Sequence, residues 1–543
     1  MHADGVAREA DMSYPNLGLL CITAFLCALV NPAYAVVDCN ANGVPDDLDI
    51  AVGSSLDCNE NLIPDECELV LWQEQLRASD AENDDRFGSA IALDGETMMV
   101  GAPWEDSPYA SSGAVYVYRR EGATWIERQK LTASDAVWLH NFGGAIALDG
   151  AVAVIGAIHD NQGGPEAGAA YVFRWDGNSW IEEQKLRASD ARPWEYFGAA
   201  LAVEDGLIAV GALSTENGLE RAGAVYLYGW DGGSWIERQK LTASDASEHD
   251  LFGETIAIQG AAMLVGAPGD DVGTTDCGSV YAFEWDGSNW VQRQRLTASD
   301  ALPYDGFGSS LDIDANVAAI GAPGDISSVP GAVYLFQHES IAGGTWILES
   351  KVTPADAQPG DYFGAAVDLD NAALAVGAPW AETAGRSSGA AYLYHRNGTD
   401  WIEQDKLIAA DAAAGDWFGY ALAFDGDLAA VGSLWGGVDD VGAAYLFHLP
   451  MQTDCNGNAV PDECDIEAGF SEDGNANGVP DECDCPADLD GDWFVGLSDL
   501  AGLLEHYGMA NGAAYADGDL NRDGAVNLDD LADMLARFGT TCE

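Results

Sequence analysis

The sequence has few basic residues: 22 Lys and Arg stand against 90 Asp and Glu in 543 residues, so the formal net charge is −68. Nucleic-acid binding requires clustered Lys and Arg, so this shortage excludes a general nucleic-acid binder and disfavours an anionic membrane surface as partner. Hydrophobic residues still make up 48% of the chain, and there are 64 glycines. This composition excludes a disordered chain and favours β-structure with many turns.

Long hydrophobic runs are also scarce. One apolar run covers residues 17–30 and is followed by Ala33-Tyr34-Ala35, a small-x-small pattern typical of signal-peptide cleavage. We predict a secretory signal over residues 1–35, with Met1 or Met12 as the start. A transmembrane helix is the alternative, although the run is short for one. The mature protein is then expected to be a secreted or cell-surface monomer without a membrane span.

Of the 11 cysteines, Cys21 and Cys27 lie in the predicted signal, which leaves nine. Export makes disulfides the expected state. All but Cys277 flank the central region, so Cys277 is predicted to be unpaired, and Cys485 with Cys542 form a natural pair. The remaining pairing stays open, because six cysteines already allow 15 arrangements.

The central region repeats itself in steps of 55 or 56 residues, and each copy contains one Phe-Gly pair. The seven phenylalanines are Phe87, Phe142, Phe197, Phe252, Phe307, Phe363 and Phe418. A Gly-Ala-Pro-like triplet follows each pair. The seven tryptophans that recur with the same period are Trp72, Trp125, Trp180, Trp235, Trp290, Trp346 and Trp401.

Each copy holds four β signals, as in residues 125–131, 143–148, 151–156 and 169–173. Asp-Gly pairs such as Asp149-Gly150 mark tight turns between them. Four strands in seven copies predict a mainly β fold, a seven-bladed propeller over residues 70–449, with a solenoid as the alternative. If the Phe-Gly strand is innermost, residues 72–76 complete the blade begun at Phe418 and close the ring.

Antiparallel strands place successive loops on alternate faces of a propeller. The two tight Asp-Gly turns share one face, which we call the turn face. The longer connections before Phe-Gly and after Gly-Ala-Pro share the other face, which we call the loop face. Variable loops on a rigid scaffold commonly bind ligands. The candidate ligand residues are non-repeating aromatics of the loop face: Trp104, Trp138, Trp194, Tyr196, Trp380, Trp417 and Trp435. The alternative is that these rings only pack the loops.

One aspartate recurs in every copy, in the segment before Phe-Gly. The seven are Asp80, Asp135, Asp190, Asp245, Asp300, Asp356 and Asp411. A catalytic group is rarely needed seven times, whereas a carboxylate that accepts backbone N–H groups to fix a turn is needed in every blade. We therefore predict a structural role for this aspartate.

The seven copies resemble the FG-GAP repeat of integrin α chains and of many exported bacterial proteins, over about residues 70–449. That resemblance implies a seven-bladed propeller engaged in cell adhesion or ligand binding. Integrin propellers carry DxDxDG-type calcium loops, and the corresponding segment at residues 268–273 lacks that spacing. Residues 312–316 come nearest but fall at a hairpin turn. Blade-bound calcium is therefore not expected here.

Acidic segments flank the propeller, at residues 36–69 and 450–484. Four loops place oxygen side chains at the spacing that encloses Ca²⁺. Their ligand positions are Asp38, Asn40, Asn42, Asp46, Asp49; Asp57, Asn59, Asn61, Asp65, Glu68; Asp454, Asn456, Asn458, Asp462, Asp465; and Asp473, Asn475, Asn477, Asp481, Asp484. These loops resemble thrombospondin type 3 calcium repeats. A solvated acidic linker is the alternative.

Residues 485–543 carry two further loops, each followed by a helical pattern. The ligand positions are Asp488, Asp490, Asp492, Asp499 and Asp519, Asn521, Asp523, Asn527, Asp530. Position 9 of the first loop is Gly496, so water would replace that ligand. Paired loop-helix units resemble a type I dockerin, which implies attachment to a cohesin-like or cell-surface partner, with Ca²⁺ as cofactor.

Three functions remain open at this stage. The first is a secreted, calcium-stabilised, non-catalytic binding, adhesion or scaffold protein that takes a glycan or protein ligand on its loop face. The second is a polysaccharide lyase or glycoside hydrolase with a dockerin-type tag, for which His140 and His159, near Asp160, are the best acid–base candidates. The third is a passive matrix element.

Overall fold

The computed structural model describes two stretches of the chain and three isolated residues. The first stretch is 72–449, without 107, 122–123, 214–218, 325–329, 340–343, 371, 398–399 and 438–440. The second comprises 495–509, 518, 520 and 525–538; residues 50, 466 and 487 are also described. The predicted signal at 1–35 lies outside these residues, as do the predicted acidic segments at 36–69 and 450–484 except for residues 50 and 466.

Seven four-stranded antiparallel sheets form the first stretch. The chain enters through β1 (Trp72–Leu76). Blades 1 to 3 are β2 (Ile91–Asp94), β3 (Thr97–Ala102), β4 (Ala114–Glu121), β5 (Thr124–Leu131); β6 (Phe142–Asp149), β7 (Val152–Ala157), β8 (Ala169–Trp175), β9 (Trp180–Leu186); and β10 (Leu201–Glu204), β11 (Leu207–Ala212), β12 (Ala224–Trp230), β13 (Trp235–Leu241).

The remaining blades repeat this order. Blades 4 to 6 are β14 (Ile256–Gln259), β15 (Ala262–Ala267), β16 (Ser279–Trp285), β17 (Trp290–Leu296); β18 (Ser310–Asp314), β19 (Val317–Ala322), β20 (Ala332–Glu339), β21 (Thr345–Val352); and β22 (Ala366–Asp370), β23 (Ala373–Ala378), β24 (Ala390–Asn397), β25 (Asp400–Leu407). Blade 7 contributes β26 (Phe418–Asp425), β27 (Leu428–Ser433) and β28 (Ala443–His448).

The predicted closure of the ring is confirmed. Blade 7 has the strand order β1-β28-β27-β26, so the strand that enters the propeller completes its last sheet. Trp72 pairs with His448 and Leu76 with Ala444 in that antiparallel register. Because both ends of the array lie in one sheet, the seven-bladed prediction holds and the solenoid alternative is wrong.

The repeated Phe-Gly pair forms the core between neighbouring blades. Phe252 is fully buried and meets Tyr281 and Phe283 edge-on, with ring centroids 5.5 and 6.1 Å apart. The glycine of the Gly-Ala-Pro triplet permits close approach of the next blade: a Cβ on Gly211 would lie 2.1 Å from the carbonyl oxygen of Gly253. Buried aromatic rings thus fill the space between adjacent sheets, and glycines, which have no side chain, let the two backbones approach closely.

Blades are also joined by polar contacts that repeat. Gln129, from the Trp-x-x-x-Gln-x-Leu strand, donates to the carbonyl of Trp180 and accepts from its N–H, both at 2.8 Å. At the turn face, Gly150 N–H donates to Asp94 at 2.6 Å, across the boundary between blades 1 and 2. Blades 1 and 2 are therefore joined both at the outer strand and at the inner turn.

Two short helices are described in the C-terminal segment, α1 (Leu497–His506) and α2 (Leu528–Arg537). Both begin at the end of a predicted calcium loop. Their apolar sides meet in a small core that includes Val495, Leu503, Val526 and Met534. The two helical patterns predicted from the sequence are thus helices of ten residues each, whereas most of the two predicted loops lies outside the described residues.

Candidate functional site

The longer connections of blades 7, 1 and 2 enclose a cavity of about 570 Å³ on the loop face. Arg86 and Tyr420 line it from segments at the Phe-Gly pairs, whereas Trp104, His159 and Leu434 come from segments after the Gly-Ala-Pro-like triplets. We call it the Arg86 pocket. Its lining confirms that the two kinds of connection share one face. The volume is within the range usual for small-molecule sites.

Arg86 lies between two indole rings. Its guanidinium carbon is 3.2 Å from the centroid of the Trp104 ring and 4.7 Å from that of Trp435. The two tryptophans meet edge-on at 6.5 Å. Burial lowers the pKa of Arg86 below its ordinary value, although the negative charges of ionised Tyr420 and of Asp84 act in the opposite direction. The side chain is thus a fixed, partly desolvated cation at the loop face.

A row of aromatic rings leads away from Tyr420. Trp417 stacks on Tyr420 with centroids 6.4 Å apart, Trp380 lies 5.8 Å from Trp417, and Tyr362 lies 4.3 Å from Trp380. We call these four residues the aromatic row. Tyr362, Trp380 and Trp417 belong to loops of blades 6 and 7, and Tyr420 belongs to β26 of blade 7. Ring surface therefore continues from the pocket across two neighbouring blades.

The structure brings together four of the seven predicted ligand residues: Trp104, Trp380, Trp417 and Trp435. Tyr196 lies near the pocket and meets the His159 ring edge-on at 5.8 Å. Trp138 and Trp194 remain exposed, at 68% and 54%, and neither makes a ring contact with another described residue. The aromatic candidates are therefore concentrated on one sector of the loop face.

Sequence reasoning missed Arg86, Asn141 and Tyr420. Arg86 and Asn141 immediately precede a Phe-Gly pair, a position with left-handed backbone in every blade. The seven φ angles are 59° at Arg86, 52° at Asn141, 53° at Tyr196, 60° at Leu251, 62° at Gly306, 59° at Tyr362 and 57° at Trp417. Holding six non-glycine residues in this conformation costs of order 1 kcal/mol each. For Arg86 and Asn141 the signal was available: this position has six residue types in seven copies, although its neighbours repeat.

The two candidate histidines have different environments. His140 is buried, and its Nε2 lies 3.6 Å from Oδ2 of Asp160. Burial lowers the pKa of His140, so the ring is neutral at ordinary pH. Asp160 also binds Lys185 at 2.6 Å. His140 thus belongs to a packed network within the blade, whereas His159 lines the Arg86 pocket.

The repeated aspartate makes the same contacts from blade to blade. Asp135 accepts from the Tyr171 hydroxyl at 2.7 Å and binds Lys185 Nζ at 2.8 Å. The hydrogen bond and the Lys185 charge oppose burial and lower the pKa of Asp135 overall. These contacts are structural, as predicted, but the partners are a tyrosine and a lysine rather than only the backbone N–H groups expected.

Two aspartates depart from the repeat on the innermost strands of blades 5 and 6. Asp312 and Asp368 share a hydrogen bond, and Asp312 also accepts from Leu369 N–H at 2.7 Å. Burial raises the pKa of Asp312 to about 6. Burial, together with the charge of Asp312, raises the pKa of Asp368 well above its usual value. At the equivalent place the other five blades have alanine: Ala92, Ala147, Ala202, Ala257 and Ala423.

Among the described residues, no group of three or more His, Cys, Asp or Glu is placed to hold a metal ion. In the C-terminal segment, three predicted calcium ligands are described: Asp499, Asn527 and Asp530. Asp499 and Asp530 are buried, and each accepts an N–H from three residues earlier, Gly496 at 2.7 Å and Asn527 at 2.8 Å. Two buried carboxylates at equivalent loop ends are oxygen donors of the kind that Ca²⁺ uses.

Most predicted calcium ligands lie outside the described residues. These are the four loops at 38–49, 57–68, 454–465 and 473–484, together with Asp488, Asp490, Asp492, Asp519, Asn521 and Asp523. The predicted pair of Cys485 and Cys542 also lies outside. Cys277 is described: it is buried and unpaired, as predicted.

The described helices include none that is long and apolar enough to cross a membrane.

Comparison with known proteins gives one family. The model of the FG-GAP repeat matches seven segments that together cover more than half of the chain: 72–118, 125–173, 180–228, 235–283, 290–336, 346–394 and 401–447. No curated protein matches the chain. A chain in the crystal structure of a mitotic checkpoint complex has a TM-score of 0.44 and 12% identity, over 69% of this chain and 91% of that one.

Proposed function

The chain belongs to the FG-GAP repeat family, and from this premise we propose that it is a secreted, non-catalytic binding or scaffold protein. A seven-bladed propeller of this family fits a binding or scaffold role in general. The ligand occupies the loop face at the Arg86 pocket and the aromatic row. The observation that carries this proposal is that non-repeating side chains converge on one pocket while the rest of each blade repeats.

The lining of the pocket supports binding rather than hydrolysis. The titratable side chains that line it within the described part of the chain are Arg86, His159 and Tyr420. Most glycoside hydrolases need two carboxyl groups at the scissile bond, and no carboxylate is present in this lining. His140, the other acid–base candidate, does not line the pocket: it is buried, and its Nε2 lies 3.6 Å from Asp160.

The test compares equivalent substitutions on the two faces. Immobilised full-length protein is screened against neutral polysaccharides, acidic polysaccharides and peptides, with Trp104→Ala as the site variant and Trp230→Ala as the control. Trp230 is similarly exposed, at 37%, but precedes the Asp231-Gly232 turn on the opposite face. We expect at least one retained ligand, lost with Trp104→Ala and kept with Trp230→Ala. Retention of none, or equal loss in both variants, would contradict the proposal.

Calcium binding by the acidic segments is the second part of this proposal. In the C-terminal segment Asp499, Asn527 and Asp530 would serve as ligands together with the other predicted positions. The bound ion would neutralise mutual repulsion among the acids and so order the loops. A paired loop-helix segment stabilised in this way would serve as the attachment domain for a cohesin-like or cell-surface partner.

Calorimetric titration of Ca²⁺ into chelator-stripped full-length protein tests this part. We expect the number of sites to fall in the Asp499→Asn/Asp530→Asn double variant. The Asp94→Asn/Asp149→Asn variant removes the same charge from the turn face and should keep every site. Equal binding by the wild type and both variants would remove Asp499 and Asp530 from the ligand set.

A further inference from the structure

Arg86, like Arg119, Arg187, Arg221, Arg238 and Arg386, makes no ion pair with a described residue, whereas every lysine of the propeller makes at least one. Lys130 and Lys185, on equivalent strands of blades 1 and 2, each bind two carboxylates. In Arg86 the Nε atom is buried without a hydrogen-bond acceptor. A buried guanidinium Nε without an acceptor is a costly feature, although Trp104, Trp435 and the charge of Asp84 partly stabilise the cation. Such a cation is suited to an acceptor supplied from outside.

The lining of the Arg86 pocket differs in charge from the chain as a whole. Its lining includes Arg86 and His159, the polar side chains of Ser89, Ser111 and Asn141, and no Asp or Glu. Arg86 thus gives the lining a positive charge on a molecule with a net charge of −68, although two acids lie close by: Asp84 acts on Arg86, and Glu166 lies 3.3 Å from His159 Nδ1. That charge distribution is complementary to an anionic group and unfavourable to a basic peptide.

The surroundings favour a saccharide as the carrier of that group. The aromatic row extends the pocket by Tyr420, Trp417, Trp380 and Tyr362, and Tyr420 is 44% exposed. Aromatic rings offer apolar faces at low conformational cost, and the C–H face of a pyranose ring packs on such a surface. Since the row spans two blades, it has room for sugar units that follow the charged one.

We infer that the Arg86 pocket binds the carboxylate or sulfate of an acidic oligosaccharide, whose neighbouring sugar rings lie along the aromatic row. This inference rests on the proposed function and names its ligand class. Arg86 forms charge-assisted hydrogen bonds to two oxygens of the anion through the planar fork of its guanidinium. Trp104 and Trp435 hold the fork in place, so little side-chain freedom is lost on binding.

The experiment uses full-length protein and four probes of similar length: hexagalacturonate, its methyl ester, a sulfated galactan hexamer and hexaglutamate. Affinities are measured by calorimetry for the wild type, Arg86→Gln, Arg86→Lys and Trp417→Ala. Arg238→Gln is the matched control, because Arg238 is exposed on an outer strand of blade 3. Thermal unfolding of each variant establishes that it is folded.

We expect one or both anionic saccharides to bind, and the methyl ester to bind at least tenfold more weakly than hexagalacturonate if the carboxylate is the recognised group. Arg86→Gln should weaken binding at least tenfold, Arg86→Lys by less, and Arg238→Gln not at all. Trp417→Ala should weaken binding of the hexamer several-fold but leave binding of a single acidic sugar unchanged. Binding should survive 0.5 M NaCl, because salt also screens the repulsion between the acidic protein and an anionic chain.

Three results would overturn the inference: equal binding of the ester and the acid without binding of the sulfated hexamer, binding of hexaglutamate as tight as that of the saccharides, or unchanged affinity in Arg86→Gln. The first two identify a neutral saccharide or an acidic peptide instead and leave the proposed function standing. If none of the four probes binds while the wider screen retains another ligand through Trp104, only this inference fails. If both experiments find no ligand, the proposed function fails as well.

Discussion

The two faces of the propeller are each ringed by one position from every blade, and the two rings differ in how far they repeat. On the turn face the ring consists of Asp94, Asp149, Glu204, Gln259, Asp314, Asp370 and Asp425, so it has an acid in every blade except blade 4. On the loop face the ring consists of Arg86, Asn141, Tyr196, Leu251, Gly306, Tyr362 and Trp417. Only blades 3 and 6 have the same residue type there, tyrosine. The same architecture thus supports one uniform and one varied ring.

The uniform ring has a structural explanation. The carboxylates of Asp94, Asp149, Glu204 and Asp370 each accept an N–H from the turn of the next blade at 2.6 to 2.9 Å. Asp425 accepts from Gly95 at 2.7 Å and so joins the last blade to the first. A contact needed at every boundary selects the same residue type in almost every copy. At the varied position the described contacts differ from blade to blade: Asn141 donates to the Pro103 carbonyl at 3.1 Å, whereas Tyr196 forms a hydrogen bond with Glu166. No shared contact therefore requires one residue type there.

The largest expected effect compares two adjacent residues of blade 4. Phe252→Ala removes a fully buried ring that repeats in every blade and should cost about 3–5 kcal/mol of unfolding free energy. Leu251→Gly changes the varied position and gives it the residue that blade 5 has at Gly306. Its φ of 60° suits glycine, so stability should stay within about 1 kcal/mol of wild type. Urea unfolding measures both, and similar losses would break the comparison.

The second-largest expected effect concerns Asp312 and Asp368, the acid pair that stands where the other five blades have alanine. Burial raises the pKa of Asp312 to about 6, and burial together with the charge of Asp312 raises the pKa of Asp368 well above its usual value. The native state therefore holds protons that the unfolded chain releases above about pH 4, so these groups reduce stability as pH rises from there through 6. Asp314 and Asp370 add repulsion in the same direction.

Replacing both by the alanine of the other blades, Asp312→Ala/Asp368→Ala, should raise stability at pH 8 by about 2 kcal/mol. The gain should shrink steadily towards pH 4. Urea midpoints at pH 4, 6 and 8 measure it, with Asp312→Asn/Asp368→Asn as the control that keeps hydrogen bonding without titration. If the difference in stability between the alanine variant and the wild type did not change with pH, the raised pKa values of Asp312 and Asp368 would be contradicted.

The smallest effect concerns the uniform ring itself. Asp94→Ala leaves Gly150 N–H without its carboxylate and should cost about 1 kcal/mol. Glu248→Ala removes the same charge from an exposed site and serves as the reference, because losing one acid relieves repulsion in both proteins. Equal stability of the two variants in chemical unfolding would mean that the ring of carboxylates does not fasten the blades.

Much of the propeller could be predicted, because its determinants are local and recur. The Trp strand was expected at residues 125–131 and is observed at Thr124–Leu131. The Phe-Gly strand was expected at 143–148 and is observed at Phe142–Asp149. The candidate site was predicted less completely, because Arg86, Asn141 and Tyr420 were missed. The variation of the position before Phe-Gly marks Arg86 and Asn141 only when all seven copies are compared, and no local pattern marks Tyr420 as a site residue.

The sequence by itself determined the number of blades, the four strands in each, the closure through Trp72–Leu76 and the face on which the variable loops lie. These follow from the period, the alternation of apolar residues and the positions of Gly and Asp-Gly. Only the tertiary structure decided that Arg86 lies between Trp104 and Trp435, and that Asp312 meets Asp368. Ring closure brings blade 7 beside blade 1, and side-chain contacts across a blade boundary depend on packing that a repeat period does not encode.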